Sequence, residues 1–96
     1  MAVAVVTAQV HPGQLDEFVR IYREHVLPAA QQVAGFHSLR LLTNQDSGDV
    51  VVLVEYETPE HAQVATQDAQ TQQFATALDR LTGPITRTLY EVALES

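Results

Sequence analysis

The chain contains no cysteine, no lysine and no tryptophan, and its five basic residues are all arginine. Without cysteine there are no disulfides, thiolate nucleophiles, iron–sulfur ligands or cysteine-rich zinc sites. Without lysine there is no Schiff-base catalysis, no pyridoxal phosphate attachment and no P-loop cation. The arginines are scattered among twelve acids, for a formal charge of −7. No basic stripe can then displace counterions from phosphates, which excludes a nucleic-acid binder, and an anionic membrane surface would repel the chain. Glycines 13, 35, 48 and 83 lie singly, so there is no phosphate cradle. No apolar run approaches the roughly 20 residues of a membrane span. The start "MAVAVVTAQV" lacks the basic region and cleavage site of a signal peptide, and a cytoplasmic location is expected.

What is present suits a globular core. Of 96 residues, 46% are hydrophobic and 18% charged, and one domain over residues 1–96 is expected. Residues 2–10 are short, β-branched and apolar, as in a central strand, and "HPG" at 11–13 breaks them. From Gln14, Leu15, Phe18, Tyr22, Val26, Ala29 and Val33 recur at spacings of three and four and predict a helix of about 20 residues. Pro28 should fault it, and Gly35 should stop it. Residues 36–44 and 50–57 flank "QDSGD" as a hairpin. Thr58 and Pro59 predict an N-cap and the first helical position. Phe74, Ala77, Leu78 and Leu81 mark a further helical face, Gly83 and Pro84 end it, and Ile85–Leu94 reads as a last strand.

The order is βαββαβ: a ferredoxin-like α+β fold with a four-stranded antiparallel sheet. Two helices cover one face of such a sheet and leave the other bare. Yet Val50 to Val54 is apolar towards both faces, and "AVAVV" in the first strand shows the same loss of alternation. The bare face is expected to close on a second copy, as a homodimer through the sheet faces.

Two stretches, "HPGQLDEFVRIYREHVLPAAQQVAGF" and "VVLVEYETPEHA", resemble the antibiotic biosynthesis monooxygenase domain of the dimeric α+β barrel superfamily. The first is similar to that family's Pro-Gly, helix, Pro, Gly progression. The second is similar to its strand running into an aromatic residue, a hydroxyl residue and an acidic helix start. The resemblance implies a dimeric α+β barrel and members that include cofactor-independent oxygenases of polyphenolic, quinol or polyketide substrates. Tyr56 stands where the family commonly has Trp, Val54 where it often has Glu, and Ala65 and Thr66 where it often has His. The haem-degrading branch uses a Trp, which this chain lacks.

Among chemistry-bearing side chains, His25 is the candidate general base, since a reference pKa near 6.5 suits proton abstraction at neutral pH; its plain alternative is a helix-side histidine in solvent or against a neighbouring subunit. Tyr22 is the second catalytic candidate. Phe18, Tyr56 and Phe74 are candidate ligand-binding residues, in a pocket expected between the first helix and the sheet. Buried tyrosines more often pack the ring and bond the hydroxyl to backbone. Arg40 and Arg87 either hold an anionic substrate or form ion pairs, Arg40 with Glu55 or Glu57. His11 and His61 are expected at the surface. No flavin, haem or metal fingerprint is found, and no bound cofactor is expected. Two functional readings stand: a monooxygenase of a small aromatic, quinol or polyketide-like molecule, or a non-catalytic dimeric ligand-binding or stress-associated module.

Overall fold

The computed structural model describes residues 1–67 and 72–96. Strands β1 (Ala2–Gln9), β2 (Phe36–Thr43), β3 (Asp49–Tyr56) and β4 (Thr86–Glu91) form one sheet in the order β2-β3-β1-β4, with every neighbouring pair antiparallel. The helices are α1 (Leu15–Ile21), a π-helical turn (Tyr22–Val26), α2 (Leu27–Gln31), α3 (Pro59–Gln67) and α4 (Ala75–Asp79). This is the ferredoxin-like α+β arrangement. Residues 70–71 of the expected second helical stretch lie outside the described residues.

Alternation sorts the sheet into two faces. In β3, Val50, Val52, Val54 and Tyr56 are buried against the helices, whereas Val51, Leu53 and Glu55 point the other way and are half-buried. The core gathers Ala4, Phe18, Ile21, Tyr22, Val33, Ala62, Ala65 and Leu78 around that first set. The ladders place Val3, Val5, Leu42 and Tyr90 on the open face, opposite or beside Val51, Leu53 and Glu55. The unbroken apolar row of β3 thus divides into a covered half and an open half.

Turn and cap chemistry follows the sequence closely. Asn44 Oδ1 accepts from the amides of Asp46 and Ser47, and Gly48 takes φ +79° to complete the hairpin. Thr58 Oγ1 accepts from the His61 amide at 3.2 Å, capping α3 as expected from Thr58-Pro59. His61, expected at the surface, is instead half-buried: its Nδ1 lies 2.9 Å from Thr58 Oγ1, and its ring lies against Gly35, where an added Cβ would stand 2.4 Å from it. The cap geometry folds the ring back over the loop between α2 and β2. β4 ends at Glu91, earlier than the expected Leu94, because beyond Val92 no strand of the chain continues beside it.

The fault before Pro28 takes a definite form. Pro28 has no amide hydrogen to give the Glu24 carbonyl, and its ring would crowd that carbonyl. The helix answers by widening: the Leu27 amide reaches back five residues to the Tyr22 carbonyl, and the residues Tyr22–Val26 form a π-turn.

Candidate active site

The π-turn carries two of the candidate residues. Tyr22 opens it on the sheet-facing side, buried among core residues, its ring 5.0 Å from that of Phe18 at a 35° tilt. Tyr56, at the end of β3, belongs to the same cluster. His25 is the fourth residue of the turn and is exposed. In a regular helix it would stand beside the apolar stripe; the wider turn carries it further round, away from the sheet. There it stacks on Phe74, centroids 5.2 Å apart and planes 22° apart. A groove of about 380 Å³ surrounds this pair, with Glu24, Pro28, Ala29, Gln32 and Gln73 along its walls. The structure therefore brings Phe18, Tyr22 and Tyr56 together in the core and His25 with Phe74 in a groove on the helical layer.

The tyrosine hydroxyls are the informative atoms. Tyr22 is 8% exposed and Tyr56 6%, yet neither hydroxyl makes a hydrogen bond to the protein. No fully buried side-chain oxygen or nitrogen among the described residues lacks a partner, so both hydroxyls keep access to solvent. Burial pushes the Tyr22 phenol up to about 12, which keeps it protonated at neutral pH. Tyr56 is likewise raised by burial, with the positive charge of Arg87 drawing it back down. Arg87 faces the helices, because it pairs with Val6, and its Nη2 donates to the Ala62 carbonyl at 3.1 Å. Register thus separates two arginines that composition leaves alike. Arg40, opposite Leu53, lies on the open face and forms no ion pair with Glu55 or Glu57 within the chain, because Glu55 stands opposite Ser38.

Among the described residues no group of three or more His, Asp or Glu could hold a metal ion, and no helix is long and apolar enough to cross a membrane. A larger cleft, about 700 Å³, opens at the other end of the sheet between the start of α1, the hairpin turn and Gly83-Pro84, and contains none of the candidate residues.

Residues 1–77 match the sequence profile of the family described as antibiotic biosynthesis monooxygenase. The chain belongs to that family. Among curated proteins no sequence relative is found. Among solved structures, SnoaB from Streptomyces nogalater, a cofactor-independent oxygenase, superposes with a TM-score of 0.84 at 22% identity, over 98% of this chain and 94% of that one. A Nitrosomonas europaea protein described as an antibiotic biosynthesis monooxygenase gives 0.83 at 18% identity, over 98% and 100%. An uncharacterized NIPSNAP domain protein from Burkholderia xenovorans gives 0.72 at 21% identity, over 97% and 95%. At these identities the likeness is one of fold, shared across proteins of different description; membership in the monooxygenase family rests on the sequence match.

Proposed function

We propose that this antibiotic biosynthesis monooxygenase family member oxidises a small phenolic or quinol-type molecule with dioxygen, using no metal or flavin. The observation that carries the reading is the pair of buried tyrosines, Tyr22 and Tyr56, whose hydroxyls keep solvent access and lack a protein partner. Buried phenols normally find a partner, so two without one suit a ligand that brings its own oxygens. The fold shared with SnoaB, itself a cofactor-independent oxygenase, supports the same chemistry.

His25 takes the proton of a phenolic hydroxyl, and the resulting phenolate passes one electron to dioxygen. Substrate radical and superoxide join at a ring carbon that bears hydrogen, and the proton held by His25 completes the hydroperoxide. Its O–O bond then breaks with loss of water, leaving a carbonyl, so one oxygen atom enters the product and one leaves as water. On the core side, away from the groove of His25 and Phe74, Tyr22 is held as a phenol and can donate a hydrogen bond to a ligand oxygen. Phe74 forms the aromatic wall beside His25, and Phe18 and Tyr56 pack with Tyr22 on the core side. The open sheet face closes on a second copy, giving a homodimer.

The exposure of His25 favours one alternative, a non-catalytic ligand-binding module on the same fold. Oxygen uptake separates the two. With a quinol or polyphenol and chelator-treated protein, uptake above the buffer rate is expected, and His25→Ala should lower turnover about 100-fold, as for a lost general base. A variant rate within twofold of wild type would remove His25 from the mechanism. Ligand binding without uptake would leave the module.

A further inference from the structure

Arg87 is the arginine that register sends to the helical side. β4 is an edge strand, and its alternate residues Arg87, Leu89 and Glu91 stand opposite Val6, Ala4 and Ala2, on the face that carries α3. The helical layer leaves this strip of the sheet open: Arg87 and Glu91 are exposed, while Val6 and Leu89 are half-buried at the edge of the core. A half-buried apolar floor therefore lies beside a guanidinium. That guanidinium is only partly used. Its Nη2 donates to the Ala62 carbonyl at 3.1 Å, and among the described residues it forms no ion pair, so the rest of its N–H groups remain for another acceptor. Ala62 lies in the first turns of α3, just beyond the end of β3, and shares the core cluster with Tyr56. The bond thus brings the positive charge to the corner where Tyr56 sits. The charge is felt there, since Arg87 offsets part of the rise that burial imposes on the Tyr56 phenol.

We infer that Arg87 and the Tyr56 hydroxyl form an anion subsite for an aromatic ligand, holding one ligand oxygen in its ionised, phenolate form with the ring against Val6 and Leu89. The Tyr56 hydroxyl keeps access to solvent and has no protein partner, so it is free to donate. Hydrogen bonds to an ionised oxygen are the stronger kind, which makes this corner prefer the anion to the neutral phenol. With Nη2 turned to Ala62, the fork that grips a carboxylate is partly occupied, and a single oxygen suits the corner better. The ligands selected are phenols and hydroxyquinones whose hydroxyl ionises near neutral pH. The subsite rests on the phenolic reading of the ligand and is independent of the role given to His25.

4-Nitrophenol is a direct probe, because it turns yellow on ionising and does so near neutral pH. Bound to the wild type, it is expected to show its phenolate absorbance at a lower pH than in buffer. Arg87→Met should abolish that shift and weaken phenolate binding about tenfold or more. Arg87→Lys should restore the shift in part, and Tyr56→Phe should weaken binding while keeping most of the shift. 4-Nitroanisole, which has no hydroxyl to ionise, should bind wild type and Arg87→Met alike, which separates a lost charge from a lost fold, since Arg87 also ties β4 to α3. Wild type that leaves the probe's titration where buffer does, or Arg87→Met that keeps wild-type affinity for the phenolate, would overturn the subsite. Equal losses for both probes would make Arg87 a structural tie and overturn it too. The subsite and the proposed oxidation fail separately. An Arg87-dependent shift with no oxygen uptake from any quinol or polyphenol would overturn the oxidation alone, whereas uptake with no shift would overturn the subsite alone.

Discussion

Tyr22 is the residue whose environment has the clearest measurable consequence. A phenol with its folded-state pKa raised from 10 to about 12 by burial holds its proton more tightly when folded. Its contribution to stability is complete below pH 10 and is lost as the pH rises through about 12. The amount is on the order of 2–3 kcal/mol. Chemical denaturation at stepped pH should show this decline in the wild type and a flatter profile in Tyr22→Phe; equal slopes would mean that the Tyr22 phenol is not held in the core. Phe18, 1% exposed, is the packing counterpart, and Phe18→Ala should cost about 3–5 kcal/mol in the same assay. Both residues were readable from the three-and-four spacing that starts at Leu15, because burial along a helix follows its period. His25 was readable only as a flanking residue: the extra turn width that carries it onto Phe74 depends on the Leu27–Tyr22 hydrogen bond, which no residue pattern announces. His61 was missed for a similar reason. Its ring is drawn inward by Thr58 and by the bare Cα of Gly35, a partner 26 positions away in sequence.

At the scale of elements, local chemistry carried nearly the whole reading. Thr58-Pro59 marks a helix start and Asn44 to Gly48 a turn through short-range hydrogen bonds, so both are visible in a few residues. The C-terminal end of β4 was not, since a strand ends where its neighbour ends, and β1 begins at Ala2. Two substitutions test the elements that hold the site. Pro28→Ala restores an amide and removes the ring, so the π-turn should relax to a regular helix and swing His25 off Phe74. Loss of the His25–Phe74 ring-current shift by NMR, with the fold retained, is the expected result; an unchanged shift would mean that Pro28 does not set the turn. Gly35→Ala combines a φ of +82° with a Cβ 2.4 Å from the His61 ring. It should cost roughly 1–3 kcal/mol, and His61→Ala should recover only the ring's share, because the His61 Cβ itself stands 2.8 Å from the added atom and the backbone part stays. Full recovery would assign the whole effect to the ring.

For the whole molecule, the division of β3 into two apolar faces decides the behaviour. Val52 is 1% exposed beneath the helices, so Val52→Asp buries an unpaired charge and should unfold the chain. Val51 lies on the open face, where an aspartate reaches water in a lone subunit. Val51→Asp should therefore leave a folded monomer, as seen by circular dichroism and light scattering, and a Val51→Asp protein still dimeric would place the contact elsewhere. The proposed function rests on oxygen chemistry performed by side chains alone, and labelled dioxygen tests it most directly. Chelator-treated protein is incubated with a quinol or polyphenol under ¹⁸O₂, and the product is weighed by mass spectrometry. The expected product carries one ¹⁸O atom, forms faster than in buffer, and forms about 100-fold more slowly with His25→Ala. A product whose new oxygen comes from water, or one formed no faster than in buffer across a panel of such substrates, would contradict the monooxygenase reading.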